Sequence, residues 1–222
     1  MDIRVSDDPA GHAAEFITRK LNNAVRRRGS ASLAVSGGNT PQPMLDALAA
    51  TDLPWEHITT WQVDERIAPD HDPDRNADQL GGFPGTVRLM PVTAKDLRAA
   101  ARRYAASLPE RFDVIHLGLG DDGHTASWPP GDADIVASTR PVDLVGEFHG
   151  RRRMTLTPPV VNGARSRLVL AAGTAKAAIV ERWLLRDPDL PINTVRRTGT
   201  TAFLDGDAAA RAAADAPLSP VE

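Results

Sequence analysis

The stretch Val114-Ile115-His116-Leu117-Gly118-Leu119-Gly120-Asp121-Asp122-Gly123-His124-Thr125-Ala126-Ser127 carries the residues best suited to chemistry. An apolar run ends in glycines and delivers two aspartates and a histidine into a turn. A carboxylate beside an imidazole fixes its tautomer and stabilises its charged form, as a general base at neutral pH requires. His124 is the candidate base and Asp122 its candidate orienting partner. Gly118, Gly120 and Gly123 also satisfy G-x-G-x-x-G. However, Asp121 and Asp122 would set negative charge against a pyrophosphate, and the motif falls mid-chain after two strand-helix units, so no nicotinamide cofactor is expected. His116, inside the apolar run, reads as packed or hydrogen-bonded, not catalytic.

Four further segments could bind an anion. Ser36-Gly37-Gly38-Asn39-Thr40-Pro41 joins a flexible backbone to a helix start, with Thr40 as expected N-cap and Pro41 as N1. The N–H groups of Gly37, Gly38, Asn39 and Thr40 can converge on a phosphate there. The segment is not a nucleophile elbow, because Ala34 stands where glycine is needed two residues before Ser36. In Gln62-Val63-Asp64-Glu65-Arg66, Asp64 can orient a hydroxyl or water and Arg66 can pair with a phosphate or an oxyanion. A solvated charged loop with internal ion pairs is the competing reading. Lys176, in Gly173-Thr174-Ala175-Lys176-Ala177, and Arg153, last of the trio Arg151-Arg152-Arg153, add positive charge. There is no cysteine and no His-x-x-x-His, and His12, His57 and His149 lack a companion motif, so no metal or other cofactor is expected.

These segments need elements to aim them. Ala10 to Arg28 has Ala13, Phe16, Ile17, Leu21, Ala24 and Val25 at helical spacing. Short apolar runs at Ala31–Val35, Ile58–Val63, Asp113–Leu119 and Leu168–Ala171 each end in a glycine-rich or charged turn. A helix is expected over Thr174–Leu185, and Met154–Thr157 and Thr201–Leu204 read as further strands. The first strand is expected near Ala31, after a single helix. The alternation predicts an α/β fold: a doubly wound, mostly parallel sheet with helices on both faces, Rossmann-like, with its ligand at the carboxyl ends of the strands. Pro129 to Arg151 has no clear period and reads as a mobile loop or small subdomain. The Ala-rich tail after Asp207 reads as a final helix with a frayed end.

Bulk composition narrows the class. With 222 residues, 41% hydrophobic, the chain is expected to form one domain over 1–222. A net charge of -3 gives no global field for nucleic acid or an anionic membrane, and no segment approaches the roughly 20 apolar residues of a span. A cytoplasmic protein with a small-molecule partner is expected, as monomer or homodimer. The 26 basic residues include only three lysines, Lys20, Lys95 and Lys176. That skew reads as coding bias.

In this order the motifs resemble the 6-phosphogluconolactonase family, whose pattern runs S-G-G-S-T-P, D-E-R with H and S-N downstream, G-x-G-x-D-G-H-T-A-S-L-F-P, R-x-T-L-T and G-x-x-K-A. Here these are Ser36–Pro41, Asp64–Arg66 with His71 and Asn76, Gly118–Pro129, Arg153–Thr157 and Gly173–Ala177. Asn39 and Arg75 replace two family serines, and Ser127-Trp128-Pro129 is one residue short, which bears on the pocket wall near His124. The resemblance implies a fold like that of the sister glucosamine-6-phosphate deaminases and hydrolysis of 6-phospho-D-glucono-1,5-lactone without a cofactor. It implies His124 as base, Asp122, Asp64 and Arg66 beside the reacting ester, and phosphate held by Gly37–Thr40, Arg153 and Lys176. The deaminases are the alternative, but they carry D-E-Y at Asp64–Arg66 and an acidic residue where Pro129 stands. A non-catalytic sugar-phosphate-binding regulator would need a DNA-binding module before the first strand.

Overall fold

The computed structural model describes residues 1–212 and the backbone of 218–220. Among the described residues eleven strands and six α-helices follow in chain order: β1 (Asp2–Val5), α1 (Pro9–Arg28), β2 (Ala31–Val35), α2 (Gln42–Ala49), β3 (Ile58–Gln62), β4 (Asp64–Arg66), β5 (Thr86–Arg88), α3 (Leu97–Ala106), β6 (Val114–Gly118), α4 (Ala133–Val136), β7 (Val142–Phe148), β8 (Arg151–Leu156), α5 (Pro158–Gly163), β9 (Ser166–Ala171), α6 (Ala177–Leu184), β10 (Thr200–Leu204) and β11 (Leu218–Pro220). Eight strands form one sheet in the order β11-β1-β10-β9-β6-β2-β3-β5, parallel at every pairing. The doubly wound parallel reading holds. A second, antiparallel sheet, β4-β8-β7, stands beside it.

The strands are apolar on both faces because helices cover both. Leu33, Val35, Val114, Leu168 and Leu170 pack with Phe16, Ile17 and Leu21 of α1 and Leu45 and Leu48 of α2. Their alternates Ala34, Ile115, Leu117, Val169 and Ala171 belong to the opposite core, with Tyr104 of α3, Val161 of α5 and Val180 and Trp183 of α6. Met154, Leu156, Val142 and Val145 of the small sheet join that same core. Helix α1 starts with the Asp8 side chain accepting from Gly11 N–H at 2.8 Å and Pro9 in the first turn, and stops at Gly29 in the left-handed region.

Several expectations need correction. A strand, β1, precedes α1, so the first strand is not at Ala31; Asp2–Val5 is short and sits beside β10, where only pairing reveals it. Helix α2 begins at Gln42 with Pro41 in the cap position and no side-chain cap, so Thr40 does not cap it. Met154 belongs to the antiparallel sheet. The unreadable stretch 129–151 holds α4, β7 and the hairpin to β8. After Asp207 the chain makes turns to Ala212, and β11 pairs with β1. The rest of the expected terminal helix, 213–217 and 221–222, lies outside the described residues.

Candidate active site

In the large sheet, β2 and β6 are neighbours, and the chain leaves them in opposite directions, to β3 and to β9. In open α/β sheets the crevice beyond the carboxyl ends at such a point is where ligands bind. Ser36–Pro41 follows β2 and Gly118–Ser127 follows β6. A cavity of about 340 Å³ opens between them, and all ten sequence-predicted residues line it: Asp64, Arg66, Asp122 and His124, Gly37, Gly38, Asn39 and Thr40, Arg153 and Lys176.

The base and its carboxylate come from one tight turn. Gly120 N–H donates to His124 C=O at 2.8 Å and Gly123 N–H to Gly120 C=O at 3.0 Å. A Cβ at Gly120 would sit 2.0 Å from His124 Nδ1, so glycine there makes room for the ring. Asp122 Oδ1 lies 2.6 Å from His124 Nδ1 and accepts His124 N–H at 3.0 Å. Partial burial pushes the Asp122 carboxyl up, but the backbone and side-chain hydrogen bonds and the charge of His124 together hold it below its ordinary value. An ionised carboxylate only accepts, so Nδ1 carries a proton, and in the neutral ring Nε2 then keeps its lone pair.

Asp64 and Arg66 lie where the chain steps from one sheet to the other. Val63 N–H donates to Val35 C=O at 2.9 Å and Val63 C=O accepts Leu156 N–H at 2.7 Å, which stitches both sheets at one residue. Asp64 is buried and accepts the fully buried Ser127 hydroxyl at 2.6 Å. Glu65 is wholly buried, not a solvated loop residue. It accepts N–H bonds from Arg66, Asn76 and Ala77 and the Gln62 amide, and pairs with Arg75 at 3.1 Å. That carboxylate gathers the 65–77 segment under the site.

Arg66 faces Arg153 across the β4-β8 pairing. Arg66 donates to Asp74 C=O, and its Nε has no partner. Arg153 is buried, donates to Phe148 C=O at 3.2 Å and stands 5.0 Å from the Phe148 ring centre. Burial lowers its pKa, the Asp64 charge opposes the shift and Arg66 adds to it. Among the described residues neither guanidinium has a carboxylate at ion-pair distance. Two adjacent unneutralised cations suit an anionic ligand. Lys176 differs: it is paired with the exposed Asp121.

The glycine loop is also partly committed. Gly38 N–H donates to Gln79 Oε1 at 2.7 Å, and Gln79 returns a bond to Gly38 C=O at 2.8 Å. Among the described residues no protein acceptor takes the N–H groups of Gly37, Asn39 and Thr40. Three of the four expected donors remain for a ligand.

His149 was not legible as a site residue. It sits at the tip of the β7-β8 hairpin, lines the cavity, and holds Nε2 3.6 Å from Asp122 Oδ2. The His149-Gly150 pair between two strand-like runs was the available signal, since a two-residue turn ending in glycine marks a hairpin. Asp122, His124 and His149 offer ligand atoms all within 4.8 Å of one another and could hold a metal ion. His116 is buried as expected but its ring finds no hydrogen bond among the described residues.

Residues 5–203 match the family described as glucosamine-6-phosphate isomerases/6-phosphogluconolactonase. The chain belongs to that family. A relative within this isomerase/lactonase family, the 6-phosphogluconolactonase of Synechocystis sp., is 38% identical over 179 residues, 72% of this chain and 74% of the relative. The crystal structure of a 6-phosphogluconolactonase from Shewanella baltica superposes with a TM-score of 0.84 at 24% identity, covering 92% of this chain and 97% of that one. A monomeric glucosamine-6-phosphate deaminase superposes almost as well, with a TM-score of 0.81 at 20% identity over 95% of this chain and 100% of its own. Both enzymes of the family share the fold, so the fold alone does not separate the activities.

Proposed function

We infer that the protein hydrolyses 6-phospho-D-glucono-1,5-lactone to 6-phosphogluconate, a step of the oxidative pentose phosphate pathway. The observation that carries this is the 2.6 Å contact of Asp122 with His124, in one cavity with the unpaired Arg66 and Arg153. The substrate has an ester carbonyl at one end and a dianion at the other, and the cavity offers a base for the first and cations for the second. The Arg66 that stands where deaminases carry tyrosine, and Pro129 in place of their acidic residue, support lactone hydrolysis over deamination.

The phosphate is held by the free N–H groups of Gly37, Asn39 and Thr40 with Arg153 and Lys176. His124 Nε2 takes a proton from water as the water oxygen bonds to the carbonyl carbon. Arg66 stabilises the resulting oxyanion, and Asp64 orients the water or a substrate hydroxyl. The bond from carbonyl carbon to ring oxygen then breaks, and the proton on His124 passes to that oxygen. Asp122 stabilises the imidazolium in between. The protein acts as a single unit over 1–222, in the cytoplasm, as monomer or homodimer, with no nucleic acid. Among the described residues no helix is long and apolar enough to cross a membrane.

Activity is expected without added metal, because the lactone is already reactive towards water and His124 has its own orienting carboxylate. Purified protein treated with a chelator should speed lactone loss well above its spontaneous rate and release no ammonia from glucosamine 6-phosphate. Activity that vanishes and returns only with a divalent ion would overturn the cofactor-free mechanism, and ammonia release would overturn the substrate.

Lys176→Ala should raise KM by several-fold, up to about tenfold, with kcat little changed, as for a ground-state phosphate contact. The effect is held down because Asp121 already neutralises the lysine. Steady-state kinetics decide: a steep loss in kcat at constant KM would place Lys176 at the reacting end.

A further inference from the structure

We propose that His149 is a positioning residue for His124, acting through Asp122. This rests on the lactonase reading of the site. The carboxylate lies between two imidazoles, with both hydrogen bonds of His124 on Oδ1 and the His149 Nε2 atom beside Oδ2. A carboxylate whose second oxygen is free can turn about its Cβ–Cγ bond and trade its imidazole partner for water. With its second oxygen held, Oδ1 stays on His124 Nδ1, the Nδ1–H tautomer is retained, and Nε2 remains the acceptor aimed at water.

The hairpin is built to hold His149 there. Phe148 pairs with Arg151, so His149 and Gly150 form a two-residue turn, with φ 50° and 73°. The left-handed region disfavours most side chains but accepts histidine and asparagine more readily. The turn is fastened to the site floor on the other side: the Phe148 ring packs edge-on against His124 with centres 5.1 Å apart, and Phe148 C=O accepts from Arg153. The His149 ring lies over Phe148 with centres 4.1 Å apart and is 60% exposed. Its ring nitrogens have no other protein partner among the described residues. The present 3.6 Å separation is just beyond a direct hydrogen bond, and a movement of the hairpin tip of about 0.6 Å would make one.

Two variants test this, because the amide nitrogen of glutamine reaches about as far as Nε2 of histidine while that of asparagine stops short. His149→Asn keeps a residue tolerated in the left-handed turn and should lose about three- to thirtyfold in kcat with KM unchanged. His149→Gln should recover most of that loss. Nitrogen-15 spectra of the imidazole rings give a readout independent of lactonase activity: the Nδ1–H tautomer of His124 should be dominant in the parent and the Gln variant and mixed with Nε2–H in the Asn variant. Unchanged tautomer and kcat in His149→Asn would overturn the proposal. A rise in KM alone would also overturn it and make His149 a substrate contact. A parent with the Nδ1–H tautomer but no lactonase activity would reject the reaction assigned above while leaving the positioning role intact.

Discussion

His124→Asn should lower kcat by ~10²- to 10⁴-fold, the loss typical of a missing general base. Asparagine keeps a polar side chain in the Gly120–Gly123 turn and presents an amide to Asp122, but it has no lone pair that can take and hold the proton of water. The phosphate contacts proposed for the glycine loop and Arg153 are untouched. Binding of 6-phosphogluconate should therefore persist while turnover collapses, which calorimetry and single-turnover kinetics on one sample can read together. In the parent, Asp122, held below the ordinary carboxylate range, stays ionised and keeps an acceptor on His124 Nδ1. Spontaneous hydrolysis is subtracted from every rate, because hydroxide also attacks the ester. A correctly folded asparagine variant with near-parental kcat would move the search for the water-activating group to Asp64 and Asp122.

His116→Leu should stabilise the protein, and the gain should grow as pH falls. His116 sits in the middle of β6 on the α1 side of the sheet, fully buried, with neither ring nitrogen hydrogen-bonded among the described residues. Burial lowers its pKa from 6.5 to about 3. The folded chain therefore keeps the imidazole neutral where the unfolded chain would protonate it. Above pH 6.5 both states are neutral and there is no penalty from titration. Between pH 6.5 and 3 the unfolded state binds the extra proton, and stability falls by roughly 1.4 kcal/mol per pH unit, to a total of the order of 5 kcal/mol. Leucine removes that proton uptake and, at every pH, the ~1–3 kcal/mol cost of two unsatisfied polar atoms. Denaturant midpoints of parent and variant from pH 7 to pH 4 give the test. A constant difference across that range, or a less stable leucine variant, would mean that the imidazole has a partner in the core.

The sequence exposed the parallel sheet and the turns after β2 and β6 because those strands are short, largely apolar runs closed by glycine-rich turns. The residues that bear on chemistry within those turns were equally plain, since Asp122, Gly123 and His124 are adjacent and their geometry is local. What stayed hidden depends on pairing between distant segments. Asp2–Val5 is too short to announce a strand and owes its structure to β10. The β7-β8 hairpin was lost in a stretch of Pro, Gly and Asp, and with it the arrival of His149 at Asp122, a contact between residues 27 positions apart. Glu65 looked like one charge in a polar loop, and only the convergence of Asn76, Ala77, Arg75 and Gln62 shows that the loop is wrapped around it. The commitments of Lys176 to Asp121 and of Gly38 to Gln79 are likewise invisible until the partners are brought together.

That His124 and Asp122 share one turn, while the anion-binding groups come from other segments, bears on how such an enzyme can change. The proposed proton-handling pair has its internal spacing set within five residues, from Gly120 to His124, with His149 as its proposed contact from outside that turn. Substitutions in the glycine loop or around Lys176 can retune how the proposed phosphate site grips a phosphorylated sugar without touching the turn that aligns imidazole and carboxylate. Selection for a new substrate and retention of the hydrolytic step therefore act on separable parts of the chain. Replacements inside the Gly120–His124 turn have no such freedom, and there a single methyl group on Gly120 would displace the ring proposed as the base.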